Sequence, residues 1–119
     1  MDKILLISND EGAAEMFKLI LEPRGFEVSA HREEGIEAVE SLDPDVVVLD
    51  LATPEVDVAR ICRSIREFSK APIILLSGLN KPGVVAKALD KGADDYLIKP
   101  VPSGVLIAHL KNLIRRSRA

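Results

Sequence analysis

The stretch Val46-Val47-Val48-Leu49-Asp50 decides the fold of this chain of 119 residues. Its first four residues are all apolar, without the alternation of apolar and polar residues that a half-solvated strand shows. This pattern predicts a parallel β-strand that is covered on both faces and ends at a carboxylate. Similar apolar runs lie at residues 4–7, 73–76 and 96–98, and a weaker one lies around Phe26 and Val28.

Segments with the spacing of amphipathic helices follow each of these runs. Their apolar positions, which we expect to face the core, are Met16, Phe17, Leu19 and Ile20; Ile36, Val39 and Leu42; Val58, Ile61, Cys62 and Ile65; Val84, Val85, Ala88 and Leu89; and Leu106, Leu110, Leu113 and Ile114. Gly25 and Gly92 follow helical stretches, where a left-handed cap is expected. The sequence therefore predicts one α/β domain over residues 1–119, a flavodoxin-like, doubly wound (βα)5 fold with a five-stranded parallel sheet of order 2-1-3-4-5.

Composition and charge exclude several classes of protein. Apolar residues make up 47% of the chain and charged residues 29%, which is typical of a soluble globular domain. Sixteen basic residues against 19 acidic ones give a formal net charge of −3, which offers no general attraction for nucleic acid. Cys62 is the only cysteine, so no internal disulfide forms. The first residues resemble neither a secretory signal nor a membrane span, and we expect a cytoplasmic protein without membrane contact.

Polar residues end four of the five predicted strands. They are Ser8, Asn9 and Asp10 after the first run, Asp50 after the third, Ser77 after the fourth and Lys99 after the fifth. In a doubly wound sheet, ligands bind beyond the carboxyl ends of the strands, at the point where the strand order reverses. We therefore expect these side chains to meet in one crevice.

The motifs around these residues resemble the receiver domain of two-component response regulators over essentially the whole chain. The matching stretches are residues 45–51, with Pro54 four positions after Asp50, residues 72–78 and residues 91–100. The resemblance implies that Asp50 accepts a phosphoryl group from a sensor histidine kinase or a phosphotransfer protein. It also implies that Ser77 and Lys99 bind phosphoryl oxygens, which suits the electrostatic demands of phosphoryl transfer. Such a chain is a signalling domain rather than an enzyme.

The resemblance also implies a conformational switch beside the site. It gives Ser77 and Tyr96 the positions of the family's switch residues, and the two-state element would include the loop from Ser77 to Pro82. The Lys99–Pro100 bond is expected to be cis by the same analogy, which would aim the lysine at the site.

The sequence departs from the family pattern where the metal is expected. Ser8 and Asn9 occupy the places of two acids that bind Mg²⁺ in the family, and Asp10 lies one position further on. Because Mg²⁺ prefers anionic oxygen, we expect weak or absent binding, with Asn9, Asp50 and, after a one-residue shift, Asp10 as candidate ligands. Asp10 is read more simply as an acid at the first turn of a helix. Val58 replaces a glycine of the family, which predicts a reshaped loop near Asp50.

Two mechanisms from different classes stay open at this point. The first is a phosphoacceptor that switches when Asp50 is modified. The second is a pseudo-receiver, a protein-interaction module that works without phosphorylation. The first is favoured by Asp50, Ser77 and Lys99, and the second by Ser8, Asn9 and Val58.

Partner contacts are inferred from the resemblance alone. Charges that form a dimer in related receivers fall at Lys87, Asp94, Asp95 and Lys111. Val105 and His109 replace an acid and a base of that pattern, so we expect a monomer or a weak homodimer. The resemblance further implies a downstream protein or an output domain outside this chain, and no direct nucleic-acid binding by residues 1–119.

Overall fold

The computed structural model describes residues 1–32, 36–50, 57–78 and 82–119. Within these residues, strands and helices alternate along the chain. The elements are β1 (Asp2–Ser8), α1 (Glu11–Leu21), β2 (Phe26–His31), α2 (Ala38–Leu42), β3 (Val46–Asp50), α3 (Val58–Phe68), β4 (Ile73–Ser77), α4 (Pro82–Asp90), β5 (Asp95–Ile98) and α5 (Ser103–Ser117), with a short 3-10 helix at Glu22–Arg24.

The five strands form one parallel sheet of order β2-β1-β3-β4-β5. The predicted fold class and strand order are therefore confirmed. The register pairs Ser8 with Asp50 across β1 and β3, and Ser77 with Ile98 across β4 and β5. The residues that end these strands consequently share one edge of the sheet, which we call the carboxyl edge.

The core has two layers, one on each face of the sheet. Successive residues of a strand point to opposite faces, so an apolar run such as Val46–Leu49 supplies both layers. One layer holds Val46 and Val48 with residues of α1 and α5, and the other holds Val47 and Leu49 with residues of α2, α3 and α4. Burial of both faces explains why these strands carry no polar alternation.

Strand β5 differs from the prediction that every apolar run is covered on both faces. Leu97 packs against the layer formed with α1 and α5. Tyr96 and Ile98 point to the other face, where they remain 38% and 47% exposed. The reason is position, because β5 lies at the end of the sheet and has a neighbouring strand on one side only.

Helix α1 corrects a second prediction about the core. Phe17 and Leu21 are buried, whereas Met16 and Leu19 are 52% and 77% exposed. Four apolar residues within five positions cannot all face one side of a helix, and residues four apart share a face. Leu89 in α4 is also exposed, while the side chain of Val84 lies outside the described part of the chain. Most of the other predicted helix positions are buried.

Backbone caps follow the sequence closely. Gly25 and Gly92 adopt φ angles of 90° and 126°, the left-handed region expected after a helix. Asp10 caps α1 by accepting hydrogen bonds from the amides of Gly12 and Ala13. The Lys99–Pro100 bond is cis, as expected.

The opposite edge, which we call the amino edge, is closed by Arg66 of α3. Its guanidinium donates hydrogen bonds to the carbonyls of Ala71 and Gly92 and to a carboxylate oxygen of Asp94 at 2.8 Å. The same Asp94 oxygen accepts the Ile73 amide at 2.8 Å. One side chain thus joins α3 to the starts of β4 and β5.

A second arginine at this edge holds the end of α5. Arg118 donates to Asp2 at 2.7 Å and to Asp45 at 3.0 Å, beside the starts of β1 and β3. The hydrogen bond to Asp2, then that to Asp45, raises the pKa of Arg118 above its ordinary value. The C-terminal basic residues are therefore partly engaged within the domain.

Candidate functional site

Asp50 lies at the carboxyl edge with its carboxylate 3% exposed and ion-paired with Lys99. Oδ1 lies against the Lys99 ammonium, and no hydroxyl or amide of the described residues donates a hydrogen bond to that oxygen. Oδ2 accepts a hydrogen bond from the Ser8 hydroxyl at 3.3 Å. A buried carboxylate requires such compensation, because removing a charge from water without a partner is costly.

Lys99 reaches this carboxylate because β4 and β5 hold the chain beside it. The backbone amide of Lys99 donates to the carbonyl of Ser77 at 2.9 Å, just beyond the last residue of β5. The Lys99 side chain is about one-third exposed, so the ion pair lies at the boundary between core and solvent. The expected meeting of residues 50 and 99 is therefore confirmed.

Ser77 and Gly78 form the neighbouring wall of the crevice. Ser77 ends β4 and is buried, and Gly78 follows it at the surface. A Cβ built on Gly78 would meet nothing within 4 Å.

A cavity of about 660 Å³ opens from this crevice and runs between α1 and α5. Asp50 and Lys99 line this cavity together with Ala13, Phe17 and Leu106. The sequence analysis did not predict this cavity. The sequence feature that could have indicated the cavity is the small size of residues in the first turn of α1, because small side chains leave space beside the helix.

The profile of the response regulator receiver domain family matches residues 4–111. The chain belongs to that family. A receiver sequence of this kind occurs in the transcriptional regulatory protein AfsQ1 of Streptomyces coelicolor, which is 37% identical over 118 residues, covering 98% of this chain and 52% of that protein. The DNA-binding response regulator MtrA of Mycobacterium tuberculosis is 33% identical over 117 residues, covering 97% of this chain and 51% of that protein.

Solved receivers share the whole fold. A two-component response regulator from Clostridium difficile superposes with a TM-score of 0.91 at 30% identity, covering 100% of each chain. This receiver chain spans about half the length of the curated relatives that it matches. Within its described residues, no helix is long and apolar enough to cross a membrane.

Receivers typically bind Mg²⁺. The side chains beside Asp50 can therefore be compared with the ligands that this ion requires. Across residues 1–32, 36–50, 57–78 and 82–119, no group of three His, Cys, Asp or Glu side chains is placed to hold a metal. Oδ1 of Asp10 already accepts the amides of Gly12 and Ala13 at 2.9 and 3.3 Å. The described residues therefore offer no ready group of acidic side chains for a divalent cation.

The predicted switch residues lie on neighbouring strands of the receiver. Tyr96 is on β5, paired with Leu75 of β4, and its ring is partly exposed to solvent. Ser77 ends the same β4 strand. Residues 79–81 of the predicted switch loop, and Pro54 of the family motif, lie outside the described residues.

The predicted partner surface is only partly free for intermolecular pairing. Asp94 binds Arg66 within the domain, as described above. Asp95 accepts from Nδ1 of His109 at 2.7 Å, which ties the start of β5 to α5. Lys87 and Lys111 are exposed. Neither internal pair could be predicted from the sequence. Asp95 and His109 are 14 positions apart and Arg66 and Asp94 are 28 positions apart, and no local pattern links residues at such separations.

Cys62 is buried in α3 and takes no part in the crevice. Burial away from water raises the pKa of its thiol to about 11. A neutral buried thiol is inert, which agrees with the prediction that Cys62 is a small core residue.

Proposed function

We propose that Asp50 is the phosphoacceptor of this receiver and takes a phosphoryl group from a phosphohistidine of a sensor kinase or phosphotransfer protein. The observation that carries the proposal is the buried Asp50 carboxylate held by Lys99 at the carboxyl edge. A carboxylate in this place combines low solvent competition with a neighbouring ammonium that would bind phosphoryl oxygens.

The chemistry needs few protein groups. An Asp50 oxygen forms a bond to phosphorus as the bond from phosphorus to the histidine nitrogen breaks, and the histidine nitrogen keeps that electron pair. Negative charge on the equatorial oxygens is then offset by the Lys99 ammonium and by the Ser77 hydroxyl. We expect binding of Mg²⁺ to Asn9, Asp10 or Asp50 to be weak or absent, so no step depends on it.

Modification would act on the rest of the domain through β4 and β5. The hydroxyl of Ser77 would turn towards the new phosphoryl oxygens, and Tyr96 on the adjacent strand would change its exposure. The exposed part of α4, β5 and α5, with Lys87 and Lys111, would then contact the downstream partner, and Asp95 would contribute after release from His109. Asp94 is a weaker candidate, because it is occupied by Arg66.

The names of the relatives support a proposal about the partners of the whole protein. AfsQ1 and MtrA are named as transcriptional or DNA-binding regulators, and this chain spans about half their length. We infer a cytoplasmic protein in which the receiver controls an output domain or a separate downstream protein. Nucleic-acid contact would belong to that output part and not to residues 1–119.

A second function is a receiver that contacts its partner without phosphorylation. It is favoured by Ser8 and Asn9 in the places of two family acids, and by the absence of an acidic cluster in the described residues. In this case the surface of α4, β5 and α5 is permanently in its binding form.

Intact-mass spectrometry after incubation with acetyl phosphate separates the two functions. We expect one phosphoryl adduct on the wild-type chain and none on Asp50→Ala. Asp90→Ala removes an exposed acid of α4 and is the matched control, which should keep the adduct. A wild-type chain that stays unlabelled with both acetyl phosphate and a phosphorylated histidine donor would support the phosphorylation-independent module.

A further inference from the structure

The side chain of Ser8 lies where a metal ligand of the family is expected. Ser8 ends β1, is 6% exposed and pairs directly with Asp50 in the sheet register. Its hydroxyl donates to Oδ2 of Asp50 at 3.3 Å, and its oxygen accepts the Asp10 amide at 3.1 Å. The hydroxyl thus links the Asp50 carboxylate to the start of α1.

The charges around Ser8 leave little attraction for a divalent cation. Asp50 is already paired with Lys99, so the carboxylate and the ammonium together carry no net charge. Asp10 is exposed and uses Oδ1 to cap α1. A doubly charged ion would lose much of its hydration in the crevice and would also be repelled by the Lys99 ammonium.

We propose that this receiver site works without a resident divalent cation and that Ser8 is a positioning residue for Asp50. The Ser8 hydroxyl holds Oδ2, which keeps Oδ1 on Lys99. The positioning role rests on the proposed function of Asp50, whereas the absence of a cation is testable without any phosphoryl transfer.

Thermal unfolding in MgCl₂ and in EDTA tests the cation directly. The wild-type melting temperature should be the same in both, since a ligand stabilises a fold only by binding it. Ser8→Asp places a second carboxylate beside Asp50, so this variant should be destabilised in EDTA and recover in MgCl₂. Ser103→Asp, an acid added at the exposed rim of the same cavity, is the control and should not respond to Mg²⁺.

A wild-type melting temperature that rises in MgCl₂ as much as that of Ser8→Asp would overturn the inference. An equal response of Ser103→Asp would also overturn it, because the effect would then not depend on the position beside Asp50. If Ser8→Asp does not fold, paramagnetic broadening by Mn²⁺ decides instead. The amide signals of Ser8 and Asp50 in the wild-type chain should stay sharp, and their selective broadening would contradict the proposal.

The positioning role has its own readout in the rate of Asp50 labelling by acetyl phosphate. Ser8→Ala should slow labelling by about fivefold, the effect of losing one hydrogen bond to the carboxylate. Ser8→Thr keeps the hydroxyl and should restore most of the rate, and the wild-type rate should be equal in MgCl₂ and EDTA. Equal rates for the alanine and wild-type chains would refute the role of Ser8. No labelling in any chain would refute the proposed phosphoacceptor, while the melting experiment would still decide the question of the cation.

Discussion

The two edges of the sheet hold their charged side chains in different ways. At the amino edge, Arg66 binds two carbonyls and the Asp94 carboxylate, and Arg118 binds two carboxylates. At the carboxyl edge, the buried Asp50 carboxylate contacts one ammonium, that of Lys99, and one hydroxyl, that of Ser8. The amino edge is built from multiple contacts between distant segments, whereas the carboxyl edge rests on a small set around one carboxylate.

This difference separates stability from function within one domain. The bonds of Arg66 connect the starts of β4 and β5 to α3, at the edge of the sheet opposite Asp50. The ion pair of Asp50 lines a cavity of about 660 Å³ that runs between α1 and α5. In the proposed function, a phosphoryl group would change the partners of Asp50 while the contacts of the amino edge stay in place.

The largest effect on stability is expected from Arg66→Ala. The change removes three strong hydrogen bonds and leaves the partly buried carbonyls of Ala71 and Gly92 without this donor, so the free energy of unfolding should fall by about 3 kcal/mol. Urea unfolding followed by circular dichroism measures it. Arg63→Ala, an exposed arginine of the same helix, is the control and should change stability by less than about 0.5 kcal/mol. Similar small effects at both positions would mean that the amino edge is not held by Arg66.

A smaller effect is expected at the carboxyl edge from Lys99→Met. The substitution leaves the Asp50 carboxylate buried without its cation, which should cost about 2 kcal/mol after allowance for the partial exposure of Lys99. In the double variant Asp50→Asn/Lys99→Met both charges are gone, so most of the lost stability should return. A double-mutant cycle by urea unfolding gives the coupling. Strictly additive effects would show that the two groups are not paired in solution.

The smallest effect is expected from Asp10→Ala. The loss of a helix cap should lower the free energy of unfolding by about 1 kcal/mol. Asp10→Asn should keep most of the wild-type stability, because asparagine also caps helices well. The labelling rate of Asp50 should not change, because Asp10 binds the amides of α1 and not the reacting carboxylate. A tenfold loss of labelling with unchanged stability would instead assign Asp10 to the site.

The sheet could be predicted from the sequence because the patterns that indicate its strands arise from the burial of neighbouring residues. The apolar runs 46–49 and 73–76 are buried on both faces, and the order of the strands follows from the handedness of strand–helix–strand connections. The convergence of Asp50 and Lys99 followed from the same topology, since the ends of parallel strands share an edge. The family resemblance supplied the expected roles and the cis Lys99–Pro100 bond.

Other features could not be predicted because they depend on distant packing. Met16 and Leu19 have the same apolar character as Phe17, and only the placement of α1 on the sheet decides which of them is buried. The contacts from Arg66 to Asp94 and from His109 to Asp95 join residues with no shared local pattern. From the sequence, Ser8 was identified only as the residue that replaces a family acid. Its hydrogen bond to Asp50 depends on the strand register, which sets the two residues side by side.

The sequence by itself determined a parallel α/β receiver fold, because hydrophobic periodicity and chain connectivity are encoded over short stretches of residues. It also determined which residue types end the strands. The tertiary structure alone decided how those residues pair, that Asp50 has Lys99 and Ser8 as partners, and that a cavity reaches them between α1 and α5. The physical reason is that pairing and burial depend on distances between atoms far apart in the chain, and those distances are fixed only when the helices pack on the sheet.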